Sequence, residues 1–150
     1  MRTYTRIVSS PAHADVLVLT YDQRLKSRFY LKRIDADEIQ VMLPRGLRPE
    51  SGQCLEAEDG SILRVVCAVE DLSTVFAQGH DLARACYHLG NRHLPLAIRA
   101  DRASYLQDAV IDDMMKGLGF EVRHERNVFE PESGAYTSHS HHAVLSHRPH

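Results

Sequence analysis

Ten histidines are spread unevenly along this 150-residue chain. Five of them (His139, His141, His142, His147 and His150) fall in the last twelve residues, where even spreading would place fewer than one. Neutral imidazole suits divalent nickel, copper and zinc, whereas magnesium and calcium prefer oxygen ligands. The five are interrupted at irregular intervals, unlike a purification tag. A flexible backbone carrying them wraps a metal without imposing one strict geometry, so the tract favours capture over selectivity. The bland alternative is a solvated tail with no ligand role.

His93 offers a different kind of site. It closes Gly90-Asn91-Arg92-His93, after an expected helix end and before a short extended segment. One imidazole does not hold a metal against water. If the neighbouring strand or helix lies on a two-fold interface, the same residue arrives from both subunits and a two-imidazole site forms. The bland alternative is a helix-terminus histidine bonded to a carbonyl. His88 falls ~100° or more from the apolar stripe of its helix and is expected to pack or cap. His13, His80 and His124 carry no spacing signal.

Catalytic signatures are missing. There is no Gly-rich phosphate loop followed by Lys and no GxSxG elbow. His124-Glu125 begins an HExxH, but Val128 stands where the second histidine is needed. Asp112 and Asp113 adjoin on an expected helix and so point ~100° apart, which suits a solvated or capping face better than acid–base work. Cys86, on an apolar stripe, reads as a small buried hydrophobe. No residue is assigned a catalytic role, and no enzyme is expected.

The elements that must position these residues divide the chain in three. Residues 1–69 alternate short β-favouring segments with turn signals: Asp15–Thr20, Arg28–Ile34, Glu38–Leu43, Gln53–Glu56 and Ile62–Val69, separated by Asp35-Ala36-Asp37, Pro44-Arg45-Gly46 and Glu58-Asp59-Gly60. They read as a small sandwich or barrel-like β domain without a convincing helix. Residues 70–129 read as β-α-β-(β)-α-β, an α/β layer pair with helices on one face. Ser73–Ala77 is a strand, and residues 80–89 are a helix with Leu82, Cys86 and Leu89 on its core stripe. Leu94–Arg99 is an edge strand because Pro95 cannot donate to a ladder. Two readings remain for the next stretch. Ser104-x-x-Gln107 could cap a helix from Tyr105, or Arg102–Leu106 could return as a hairpin strand and delay the helix to about Asp108. Either way Val110, Ile111, Met114, Met115 and Leu118 form its apolar face, and Phe120–His124 is the last strand. Residues 130–150 read as a mobile tail.

Composition narrows the partners. Hydrophobic residues make up 43% and charged residues 25%, enough for a core and too apolar for global disorder. Residues 1–69 hold ten basic against nine acidic side chains, and residues 70–150 hold eight against eleven. Neither part is a phosphate-binding surface by charge, so no nucleic acid is expected. The longest apolar run, Val65–Val69, is far below the ~18 residues of a membrane span. Three cysteines without a CxxC fit a reducing compartment, so a cytoplasmic location is expected.

The stretch Tyr87–Leu96, YHLGNRHLPL, resembles the UreE family, urease accessory proteins that deliver nickel. Leu43-Pro44-Arg45-Gly46, Val110–Met114 (VIDDM), Phe129–Tyr136 (FEPESGAY) and the histidine-rich end extend the resemblance in the expected order over most of the chain. The resemblance implies an α+β fold: a β-rich, partner-contacting domain, then a ferredoxin-like βαββαβ metal-binding domain and a His-rich tail. It implies a homodimer paired through the second domain, with His93 from each subunit in an interfacial nickel site. It also favours the Arg102–Leu106 hairpin. Some relatives carry an HxH pair just before the segment matching VIDDM. Here Gln107 and Ala109 stand there, and neither replaces an imidazole.

The expected function is therefore a metallochaperone with Ni(II) as cargo, held by His93 together with His139, His141, His142, His147 and His150. Its partners would be other urease accessory proteins and the urease apoprotein. Cu(II) or Zn(II) would compete for such ligands. A general nickel or zinc buffer without an obligatory client is the rival, and an adaptor with incidental histidines a further one. Whether the basic run Arg24, Lys26, Arg28, Lys32 and Arg33 is a docking face or a solvated strand face stays open.

Overall fold

The computed structural model describes residues 1–9, 13–34 and 37–134. The five histidines of the C-terminal tract lie outside the described residues. The described residues divide into two compact units, Met1–Glu70 with Arg126–Glu130, and Asp71–Glu125 with residues 131–134.

The first unit is built on a curled six-stranded sheet. Its strands are β1 (Arg2–Val8), β2 (Asp15–Leu19), β3 (Arg28–Lys32), β4 (Glu38–Met42), β5 (Cys54–Ala57) and β6 (Ile62–Cys67), ordered β2-β6-β5-β1-β4-β3. β1 pairs with β4, and β2 with β6, in parallel; the other pairs described are antiparallel. Alternate residues point to one core, including Tyr4, Leu17, Leu19, Ile39, Val41, Leu55, Leu63 and Val65. Two of the three expected turns are present: Leu47 donates to the Pro44 carbonyl (3.1 Å) and Gly60 to that of Ala57 (3.0 Å), with Gly46 and Gly60 at positive φ, while Asp35 and Ala36 of the third lie outside the described residues.

Two elements depart from the expectation for residues 1–69. Strand β1 carries only one fully buried side chain, Tyr4, between polar neighbours, so its alternation is too weak to read. A one-turn helix, α1 (Tyr21–Arg24), also stands where none was expected. Four residues are too few to show a helical period. Thr20 and Gln23 cap it reciprocally. The Tyr21 ring meets Phe129 edge-on at 5.2 Å, and Arg24 donates to the Phe129 carbonyl.

The remaining elements are β7 (Val69–Phe76), α2 (Gly79–Gly90), β8 (Ala97–Arg99), β9 (Arg102–Leu106), α3 (Ala109–Gly117) and β10 (Val122–Val128); they belong to the second unit save for the first two residues of β7 and the last three of β10. Its sheet runs β10-β7-β9-β8. β9 pairs antiparallel with β7 from Leu72↔Leu106 to Phe76↔Arg102, and with β8 from Ala97↔Ser104 to Arg99↔Arg102. The hairpin reading thus holds, and the physical reason is visible. Ala103 and Tyr105 alternate into the core, while Ser104 bonds Thr74 (2.8 Å) instead of capping a helix. Asp108 is the actual cap of α3, accepting from the amides of Val110 (2.9 Å) and Ile111 (3.2 Å).

Both helices face one side of this sheet. Ala85 and Leu89 of α2 and Ile111 and Met115 of α3 share a core with Val75, Ala103 and Tyr105. Leu82, Cys86, Met114 and Leu118 pack against it as expected. Val110 does not: it is 69% exposed, because the apolar face of α3 centres one position further on. β8 is an edge strand, in agreement with Pro95 just before it. No helix among the described residues is long and apolar enough to cross a membrane.

Candidate metal centre

The turn holding His93 is set by its neighbours on both sides. Leu89, fully buried, ends the core stripe of α2, and Leu96 is buried again seven residues on. The chain between them has to loop out. It does so through three backbone bonds, Asn91 to the Tyr87 carbonyl (3.0 Å), Arg92 to Leu89 (3.1 Å) and His93 to Gly90 (3.0 Å). His93 sits at φ +58°, the one positive φ outside glycine among the described residues. A side chain in this left-handed conformation costs on the order of 1–2 kcal/mol, and glycine or asparagine is the usual occupant. The exposed imidazole is thus carried where a glycine would relieve strain. Strain kept at a polar, exposed position points to a role beyond folding.

Past β10 the chain returns to this turn. The Glu132 amide donates to the Leu96 carbonyl over 2.7 Å, three residues from His93. The chain at Glu132 is thereby tethered just before β8.

The other histidines are placed apart. His13 and His80 are exposed. His88, half-buried, meets the Tyr87 ring edge-on at 5.3 Å, which matches a packing role. Among the described residues no three His, Cys, Asp or Glu side chains gather as a ligand set. Cys54, Cys67 and Cys86 are all unbridged, and burial raises the Cys86 thiol, which keeps it an inert part of the core.

One constellation was not read from the sequence. Asp112, expected on a solvated or capping face, is only 3% exposed. One of its oxygens accepts from the Tyr105 hydroxyl at 2.6 Å, and the other lies 2.6 Å from His124 Nε2. Burial alone would raise this carboxyl. Hydrogen bonding from Tyr105 and the close approach of His124 outweigh burial and hold it below the usual carboxylate range. Tyr105, buried against the same carboxylate, is pushed well above the ordinary phenol range. The available signal was spacing: Asp112 stands three residues before Met115 and so on the flank of the buried stripe.

This cluster pins α3 to β9 and β10. Removing the hydroxyl with Tyr105→Phe is expected to destabilise the protein by about 1.5–3 kcal/mol, because a buried carboxylate loses a charge-assisted bond. Urea unfolding of the two proteins checks this. A loss below about 0.5 kcal/mol would remove the cluster from the forces that hold the unit.

Comparison with known proteins agrees with this architecture. A profile described as "UreE urease accessory protein, N-terminal domain" matches residues 5–68, and one for the C-terminal domain of the same protein matches residues 66–150. A urease accessory protein UreE of Alkalilimnicola ehrlichii is 52% identical over 138 residues, spanning 91% of this chain and 85% of that protein. That of Vibrio parahaemolyticus is 46% identical, over 85% and 84%. That of Pseudomonas putida strain GB-1 is 44% identical, over 94% and 88%. The class so defined is an accessory protein that serves an enzyme and is not one itself. The chain belongs to the UreE urease accessory protein family.

Proposed function

We propose that the chain is a cytoplasmic nickel metallochaperone that delivers Ni(II) for assembly of the urease metal centre. The observation that carries this reading is the bond between Glu132 and Leu96, which ties the chain seven residues before His139 to a point three residues along the chain from the exposed, left-handed His93. From Glu132 to His139 is seven residues, or up to about 24 Å of chain, and from Leu96 to His93 at most about 11 Å. Tract imidazoles are therefore within reach of the His93 turn.

In this reading two copies pair through their second units, and His93 from each subunit faces the other across the two-fold axis. The order β-α-β-β-α-β with sheet order β10-β7-β9-β8 supports a ferredoxin-like metal-binding domain, 70–129. The β-rich domain, 1–69, receives the partners: other urease accessory proteins and the urease apoprotein. Residues 130–150 form the His-rich tail that gathers nickel.

Delivery needs exchangeable coordination. Two imidazoles at a solvent-facing turn, completed by tail imidazoles or water, bind less tightly than a closed four-ligand cage and release by ligand exchange. Copper forms stronger complexes with the same donors, so selectivity comes from metal availability and the recipient.

Equilibrium dialysis with Ni(II), with subunit mass measured on the same samples, tests the reading. A dimer that binds nickel is the expected result, and a monomer with no bound metal would sink it. Imidazole binds metal only when deprotonated, and its ordinary pKa is ~6.5. Bound nickel is therefore expected to fall progressively as the pH is lowered through that region. Undiminished binding at pH 4.5 in a dialysis series would exclude an all-imidazole site.

A further inference from the structure

We propose that the open edge of β3 is a docking strand for an acidic, extended segment of a partner protein. The inference rests on the reading of the first unit as the one that receives partners, and names the surface and its chemistry.

Strand β3 ends the six-stranded sheet and, among the described residues, pairs only with β4. The ladder shows which backbone groups it leaves over. The Arg33 amide donates to the Asp37 carbonyl (2.8 Å), and the Leu43 amide to that of Ser27 (2.8 Å). In an antiparallel pair bonded residues recur at every second position. Phe29 and Leu31 therefore turn their backbone groups towards β4, opposite Val41 and Ile39. The N–H and C=O groups of Arg28, Tyr30 and Lys32 point to the open edge.

The same three residues carry the exposed side chains of the strand. Arg28 and Lys32 flank Tyr30, which is 70% exposed, and Ile34 beyond them is fully exposed. Residues 23–34 include five basic side chains and no acidic one. Arg24 is engaged with Phe129, and Arg33 reaches the Val16 carbonyl over 3.4 Å. Among the described residues Lys26, Arg28 and Lys32 have no ion-pair partner. Lysine on an edge strand is a common guard against aggregation. An exposed tyrosine and isoleucine interleaved with the cations defeat that purpose, and suit a guest strand that takes both charge and apolar contact.

The occupant follows by elimination on charge. A second copy paired edge to edge would set cation against cation, which destabilises a cross-strand pair. Residues 135–150 of this chain contain no acidic side chain. A membrane or a nucleic acid would use the cations and leave the backbone row unused. An extended peptide with acidic side chains at alternate positions satisfies both rows at once, by strand addition.

The probe is the fluorescein-labelled peptide Glu-Val-Glu-Thr-Glu-Val-Glu, followed by anisotropy with the full-length, metal-free protein. Binding is expected, weakened about tenfold by charge reversal of Arg28 and Lys32 and about tenfold by raising salt from 50 to 300 mM. Two further variants separate strand addition from simple ion exchange. Tyr30→Pro removes an outward N–H that the sheet does not use, and should abolish binding; Tyr30→Thr keeps that N–H and should retain most of it. In the wild type, the peptide should slow hydrogen exchange at the amides of Arg28, Tyr30 and Lys32, a readout that stands even if Tyr30→Pro folds poorly. Absence of binding, equal binding of the glutamine-substituted peptide, or no protection of those three amides would each overturn the proposal. The assay contains no metal, so its failure leaves the nickel reading intact, and failure of nickel binding leaves this surface untouched.

Discussion

On the proposed reading, replacing His93 with glycine is expected to abolish nickel binding at the turn while leaving the fold as stable as before, or more so. The argument uses the backbone. His93 holds φ +58°, a conformation glycine adopts without cost. A histidine kept there only for packing has nothing to lose by the change, since its ring is exposed. In a symmetric site one substitution deletes two imidazoles. Affinity at that site is therefore expected to fall by about a hundredfold or more, on the order of 3 kcal/mol. Nickel calorimetry on wild type and His93→Gly, with subunit mass and melting temperature measured alongside, makes the comparison. His93→Ala serves as the harsher control, because alanine meets the strain without the ligand. Unchanged nickel affinity in the glycine variant would show that the turn serves structure alone.

The second large effect is expected from removing residues 137–150. These carry all five tract histidines, half of those in the chain. On the proposed reading, total nickel capacity should collapse to the one ion per dimer assigned to His93. Urease activation should survive when nickel is ample and fail first when it is scarce, because a tail that gathers metal matters most at low concentration. The opposite pattern identifies a store without a client: nearly all capacity lost, and activation indifferent to the deletion at every nickel level. Metal content per dimer, read together with urease activity across a nickel series, separates the two outcomes. The structural basis is the bond from Glu132 to Leu96, three residues along the chain from His93.

Much of the architecture follows from local patterns, and each failure has a cause. The strands of the first unit other than β1 stand close to their expected positions, because short segments rich in aliphatic or aromatic residues stand there between turn signals. β1 escaped because Arg2, Thr3, Thr5 and Arg6 surround its single buried tyrosine. Its place between β5 and β4 is granted by those neighbours rather than by its own hydrophobicity. The rival readings of Ser104-x-x-Gln107 were of equal local merit. Pairing with β7 and β8 decided them, because it buries Ala103 and Tyr105 and bonds Ser104 to Thr74.

Sequence by itself determined the family, most of the strands and both longer helices, since these rest on residue identity and spacing along the chain. Only the tertiary structure decided that Asp112 is buried between Tyr105 and His124, that His93 sits in a left-handed turn, and that Glu132 returns to Leu96. Each of these joins or poses groups through packing that no local window contains. A carboxylate in a helix looks the same from sequence whether it meets water or a tyrosine, and the difference arises only when the sheet closes against it.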